Sequence, residues 1–182
     1  MRDWDQHYRN PENIQTEPVP LLVRAVAGLA PGAALDLACG PGRNALFLAR
    51  HGWSVTALDA STVAIAALRA QGAAEQITVD ARVADLEHPS FLIRPDAWDL
   101  ICDFFYLHRD LFPAIRQGIR PGGLFVATIH LFDDSRPGNP NFLLHSGELR
   151  SLFSGWTLLH YAEVGQPEHR RRAAELIARR EK

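Results

Sequence analysis

Ala34-Leu35-Asp36-Leu37-Ala38-Cys39-Gly40-Pro41-Gly42-Arg43-Asn44-Ala45-Leu46-Phe47-Leu48-Ala49 reads as a buried β-strand, a glycine turn and an amphipathic helix. The strand is short and apolar, and Asp36 stands near its end. Gly40 and Gly42 can take positive φ or let a ligand approach the backbone closely. Ala45, Leu46, Leu48 and Ala49 are spaced for one packed helix face. A strand that passes through a glycine turn into a helix is how α/β proteins build a nucleotide site.

The flanking sequence repeats the alternation. Pro11, Pro18 and Pro20 keep the start irregular until a helix over about 21–29, which Pro31-Gly32 stops. Strands are expected at about 33–38, 53–58, within 76–83, 97–102, 123–129, 155–163 and 172–180. Helices are expected at 42–51, from the N-cap Ser61 to near Gly72, at 109–118 and near 147–153. A loop rich in Asp, Pro, Gly and Asn fills 131–145. Alternation of this kind predicts an α/β fold, a mostly parallel sheet with helices on both faces. The 182 residues suit one core, so the expectation is a single domain over 1–182, with 1–20 as a lid-like segment.

Two nucleotides compete for the turn. Gly40-Pro41-Gly42-Arg43-Asn44-Ala45 fits the dinucleotide fingerprint, and Asp59 closes the next strand as an acid for ribose hydroxyls. A dinucleotide pyrophosphate wants backbone N–H groups at the helix start, and Pro41 has none. Asp36 beside the Cys39-Gly40 turn offsets a sulfonium or ammonium and would repel phosphates. The chain after the fifth strand does not read as a second mononucleotide-binding half. These points favour S-adenosylmethionine (SAM) over a nicotinamide dinucleotide.

Leu35-Asp36-Leu37-Ala38-Cys39-Gly40-Pro41-Gly42 resembles motif I of the class I SAM-dependent methyltransferases. Val83-Ala84-Asp85-Leu86, Trp98-Asp99-Leu100-Ile101-Cys102-Asp103 and Arg120-Pro121-Gly122-Gly123-Leu124-Phe125-Val126 resemble later elements of that class. Within it, the chain is most similar to small bacterial enzymes of the tellurite-resistance and thiopurine methyltransferase-like group. Trp4-Asp5-Gln6-His7-Tyr8-Arg9, Asn139-Pro140-Asn141-Phe142-Leu143-Leu144 and Gly147-Glu148-Leu149 carry that similarity. The resemblance implies a Rossmann-like seven-stranded sheet of order 3-2-1-4-5-7-6 with strand 7 antiparallel.

It also implies site residues. Asp36, Ala38, Cys39, Gly40, Pro41, Gly42, Asp59 and Ala60 line the cofactor. Asp85 accepts from the adenine amino group between Ala84 and Leu86. Arg43 and Asn44 reach toward the SAM carboxylate, although Arg43 fits a surface helix position equally well. Asp103 holds the ammonium, and Tyr8, with Trp4 and His7, folds over the donor. Phe104, Phe105 and Tyr106 wall the acceptor site, a role that competes with core packing. Asp-Phe-Phe-Tyr lacks both prolines of the amino-group methyltransferase element, so DNA-base methylation is not expected. His130 closes strand 5 as a general base or an acceptor-orienting group. His169, Arg170 and Arg172 at the start of strand 7 bind an oxyanion acceptor, against the plainer reading of a solvated charge run.

Composition narrows the setting. A net charge of −2 gives no global electrostatic case for nucleic acid. No apolar run approaches the roughly 20 residues that span a bilayer. His108, His130, His145, His160 and His169 fit no zinc spacing, so no metal is expected. Cys39 and Cys102 are the two cysteines, which with no secretion signal points to a reducing, cytoplasmic setting without a structural disulfide. The expected chemistry is transfer of the SAM methyl to a small-molecule acceptor by in-line displacement, with a tilt toward a soft sulfur, selenium or tellurium nucleophile. A non-catalytic SAM-binding module and a nicotinamide-dependent oxidoreductase are the alternatives.

Overall fold

The structure, a computed structural model, describes residues 3–133, 138–166 and 171–181. Seven strands form one sheet in the order β3-β2-β1-β4-β5-β7-β6. Contacts divide the chain into two compact units, residues 1–91 and 92–182.

In the first unit, helix α1 (Trp4–Arg9) is capped by Asp3, whose side chain accepts from the Gln6 N–H. Helix α2 (Pro20–Val26) has proline in its first turn, where the missing N–H costs nothing. It ends three residues before the expected Leu29, because Ala27 leaves helical geometry and Gly28 turns to φ +75°. Strand β1 (Ala33–Leu37) is parallel to β2 (Ser54–Asp59), which is parallel to β3 (Asp80–Val83). Residues 34–37 of β1 are all buried, the pattern of a strand covered on both faces. Helix α3 (Arg43–Arg50) follows β1, and α4 (Thr62–Ala74) follows β2. Ser61 caps α4 by accepting from the Ala64 N–H at 3.1 Å, as its sequence position predicts. Leu35, Leu37, Leu46, Leu48, Ile65 and Leu68 are at most 2% exposed and make up this unit's core. Each such side chain contributes on the order of 1.5–3 kcal/mol.

The second unit holds β4 (Trp98–Phe104), α5 (Phe112–Gly118), β5 (Ile119–His130), α6 (Glu148–Leu152), β6 (Thr157–Gln166) and β7 (Arg171–Arg179). Strand β4 runs parallel to β5, while β7 is antiparallel to both β5 and β6. Strand β5 begins earlier than the expected Gly123. An irregularity between Trp98 and Leu100 absorbs the extra Arg120-Pro121-Gly122 residues. Only the last part of the expected 109–118 helix is α-helical, because Arg109–Leu111 forms a separate 3-10 turn. Phe125 stacks on Phe153 at 4.5 Å, and Phe112 meets both rings edge-on. Because β7 is antiparallel, its start lies beside the end of β5, with Ala173 opposite His130.

Candidate functional site

The turn after β1 is built by three residues at positive φ: Ala38 (+50°), Gly40 (+55°) and Gly42 (+90°). At Gly42 a Cβ would fall 2.3 Å from the Leu68 Cδ1, so only glycine fits. At Gly40 a Cβ would fall 2.8 Å from the Tyr8 hydroxyl, so α1 lies directly against this turn. The Gly42 N–H donates to the Cys39 carbonyl, and Pro41 carries no N–H. Pro41 and Gly42 therefore offer a pyrophosphate no free N–H at the turn itself.

Asp59, 7% exposed, is held by two backbone donors. Its Oδ2 accepts from the Gly40 N–H and its Oδ1 from the Ser61 N–H, both at 2.8 Å. Each carboxylate oxygen keeps further lone-pair capacity, enough for a pair of vicinal hydroxyls. Burial pushes the Asp59 carboxyl above the ordinary aspartate range, although the two amides pull the other way. Asp36 is 1% exposed in β1. Burial, then the charges of Asp36 and Asp59, push the Cys39 thiol well up. The turn thus sits in the field of two buried carboxylates, a setting suited to a cationic group that also carries hydroxyls.

The other first-unit candidates divide. Ala60 is exposed and Ala84 half-buried, with the Ala84 N–H continuing the β2 ladder to the Asp59 carbonyl. Asp85 is exposed and accepts from the Glu87 N–H at 3.0 Å, while Leu86 beside it is buried. Arg43 and Asn44, read from sequence as reaching the cofactor, have other partners here. Arg43 donates to the Gln15 side chain and the Glu17 carbonyl. The buried Asn44 Oδ1 accepts from the Val19 N–H at 2.9 Å and fastens the entry to α2.

In the second unit, Asp103 and Phe104 are buried at the end of β4. Phe105 then adopts φ +65°, a conformation that costs a non-glycine residue roughly 1–2 kcal/mol. Its N–H donates to the Thr128 carbonyl at 2.7 Å, which fixes the bend. The Phe105 ring packs against the His130 imidazole, with centroids 5.1 Å apart. Tyr106 follows, half-buried. Sequence reading named Phe105 as a wall residue but gave no sign of its backbone geometry.

The loop beyond β5 is pinned at its far end. Arg109 makes a two-point ion pair with Glu148 at 2.6 and 3.0 Å and donates to the Leu143 and Asn141 carbonyls. Glu163 accepts from the Tyr161 hydroxyl, Ser146 and the Gly147 N–H. Burial and that carboxylate push the Tyr161 phenol up to about 12. Arg172, expected at an oxyanion, lies 3.5 Å from Glu163, a carboxylate that would oppose an anion. His169 and Arg170 fall outside the described residues. A groove of about 470 Å³ lined by Phe112, Arg116, Trp156 and Arg180 opens at the opposite edge, where β6 begins and β7 ends. Its arginines are already engaged, Arg116 with the Leu152 carbonyl and Arg180 with Asp96.

The model of the family described as tellurite resistance protein TehB matches residues 5–176. The chain belongs to the TehB family. A TehB protein of Haemophilus influenzae, named a probable S-adenosyl-L-methionine-dependent methyltransferase, is 28% identical over 148 residues, covering 78% of this chain and 52% of that protein. Hemagglutinin 1 of Eikenella corrodens is 33% identical over 146 residues, covering 77% of this chain and 49% of its own length. The chain thus spans about half the length of these curated relatives. The crystal structure of TehB from Haemophilus influenzae superposes with a TM-score of 0.78 at 22% identity, over 98% of this chain and 66% of that one. The sheet order of this chain is the one the methyltransferase resemblance implies. Among the described residues no helix is long and apolar enough to cross a membrane.

Proposed function

We propose that this chain binds SAM through its first unit and moves the methyl group to a small-molecule acceptor. The observation that carries the reading is the pair of buried carboxylates, Asp36 and Asp59, at a tight left-handed turn that packs Gly42 against Leu68. TehB membership supports it, as does the name of the Haemophilus influenzae relative.

Bound SAM supplies a methyl group on a positively charged sulfur, already a good leaving group. Asp59 accepts the two ribose hydroxyls with a carboxylate that two amides hold in place. Asp36 offsets the positive charge of the ligand, and Leu86 and Ala84 flank its adenine. Tyr8 covers Gly40 and keeps water from the turn. The protein's share of the chemistry is approach, alignment and a dry site. Phe104, Phe105 and Tyr106 wall the acceptor, and His130 orients it or takes its proton where it has one to lose. A soft thiolate, selenide or tellurium nucleophile would have no proton to lose, and the tellurite-resistance description of the family supports such an acceptor. The dinucleotide reading is opposed by Pro41 and by the committed Gly42 N–H.

Calorimetric titration with SAM, S-adenosylhomocysteine and NADH tests the donor. Micromolar binding of the two adenosyl ligands and none of NADH is expected, and binding of NADH alone refutes the proposal. Release of S-adenosylhomocysteine across a panel of thiol, selenium, tellurium, amine and hydroxyl acceptors then tests turnover. Binding without release from any acceptor would favour a non-catalytic module.

Phe105 separates the two substrates. Phe105→Ala removes the aromatic face beside His130, worth about 1–1.5 kcal/mol, and should lower kcat/KM for the acceptor about ten-fold. Affinity for S-adenosylhomocysteine should stay within about two-fold, since that ligand rests on the first unit. Equal losses in both would remove Phe105 from the acceptor wall.

A further inference from the structure

Asp5 is the one acid of α1, and its carboxylate is spent on α4. Oδ1 accepts from the Ser61 hydroxyl at 2.6 Å and the Val63 N–H at 3.3 Å, and Oδ2 accepts from the Thr62 hydroxyl at 2.9 Å. These three donors make up the first turn of a 13-residue helix, where backbone N–H groups lack helical partners and the dipole favours an anion. None of the six residues of α1 is buried, so apolar burial alone holds this helix weakly. The polar attachment at Asp5 ties it to the start of α4.

That attachment leads into the turn from two directions. Ser61 donates its hydroxyl to Asp5 and its N–H to Asp59, and Asp59 accepts from the Gly40 N–H. One turn along α1, the Tyr8 hydroxyl rests on the other side of Gly40. Trp4 stacks on Tyr8 at 6.0 Å and His7 meets it edge-on at 5.0 Å, which stiffens the ring. Asp5 and Tyr8 are three positions apart, so both side chains project from one face of α1.

We propose that Asp5 is a positioning residue: it latches α1 onto the start of α4, so that Tyr8 closes on the glycine turn and slows escape of the adenosyl ligand. The inference rests on the donor reading above and adds to it a residue that touches no ligand. Opening the latch is then a step in product release, a common limit on turnover.

The test uses the full chain with S-adenosylhomocysteine as the probe and stopped-flow release as the readout. Asp5→Ala should speed release about ten-fold and leave association within about two-fold, because a lid acts on escape. Thr62→Val, which deletes one latch bond without touching the core, should speed release about three-fold, and it carries the test if Asp5→Ala fails to fold. In a Tyr8→Ala background, Asp5→Ala should change release by less than about two-fold, because the two side chains act as one device. Unchanged release in Asp5→Ala and Thr62→Val overturns the latch. So do effects of Asp5→Ala and Tyr8→Ala that simply multiply, which would make Asp5 a general stabiliser. A wild-type chain that binds no adenosyl ligand overturns it differently, by removing the donor reading on which it rests.

Discussion

Asp59→Ala lowers affinity for S-adenosylhomocysteine by about two to four orders of magnitude in titration calorimetry, because two hydrogen bonds to a charged acceptor, each worth roughly 1.5–3 kcal/mol, disappear together. The carboxylate needs no reorganisation on binding, since the Gly40 and Ser61 amides already hold it. Its removal also leaves those two N–H groups without their acceptor. Asp59→Asn is no gentle substitute. One amide oxygen cannot serve both sides, and the new NH2 group faces a backbone donor. Loss of less than about ten-fold in Asp59→Ala would place the ribose elsewhere.

The same residue sets a pH dependence. Burial raises the Asp59 carboxyl, so the free site begins to protonate above the ordinary aspartate range as pH falls. Ribose recognition needs the ionised form, so ligand affinity should decline as pH drops through that raised window, and Asp59→Ala should flatten the profile. The sign for folding is opposite. A carboxyl raised in the folded state holds a proton that the unfolded chain has already lost. This group's contribution therefore falls as pH rises across the window and is constant above it. Asp5 behaves the other way. The Ser61 and Thr62 hydroxyls and the Val63 N–H hold it below the usual range, so its contribution persists above the ordinary value and is lost only as pH falls through the lowered one. Acid should weaken ligand binding before it loosens α1.

Gly42→Ala is the second large effect, on stability. The left-handed backbone costs alanine about 1–2 kcal/mol, and the methyl overpacks the core by about 1–3 kcal/mol, so a loss near 2–5 kcal/mol is expected in urea denaturation. Leu68, 2.3 Å from the new methyl, is fully buried and has nowhere to go. A double variant with Leu68→Ala should therefore lose less than the sum of the single losses, by about 1 kcal/mol or more. Strict additivity would place the cost in the backbone alone. Gly40→Ala meets only the tip of Tyr8, a side chain at the surface of α1 that can swing aside. It should displace Tyr8 and carry the same backbone cost of about 1–2 kcal/mol, since Gly40 is also left-handed.

What could be read from the chain and what could not follows sequence distance. The turn from Asp36 to Gly42 and the capping of α4 by Ser61 are local, and composition with periodicity exposed them. The alternation of strands and helices is local too, whereas the sheet order came through family resemblance. Asp5 meets Ser61 across 56 positions, and no pattern near either residue announces the pairing. Asn44 opens a helix after a glycine turn, and nothing local to it signals that its oxygen accepts from a backbone N–H 25 residues upstream. The bend at Phe105 has no signature, because phenylalanine has no preference for positive φ; the Thr128 carbonyl on a neighbouring strand imposes it.

Cys39 lies in the turn, and its thiol is held firmly in the protonated state by burial and by the two nearby aspartates. Only the thiolate attacks carbon electrophiles. If the chain binds a methyl donor as proposed, a reactive thiolate at this turn would risk consuming that donor. Under the proposed function, the carboxylates that receive a cation would also keep this sulfur from self-alkylation, and Cys39 should resist iodoacetamide at neutral pH until the chain is unfolded.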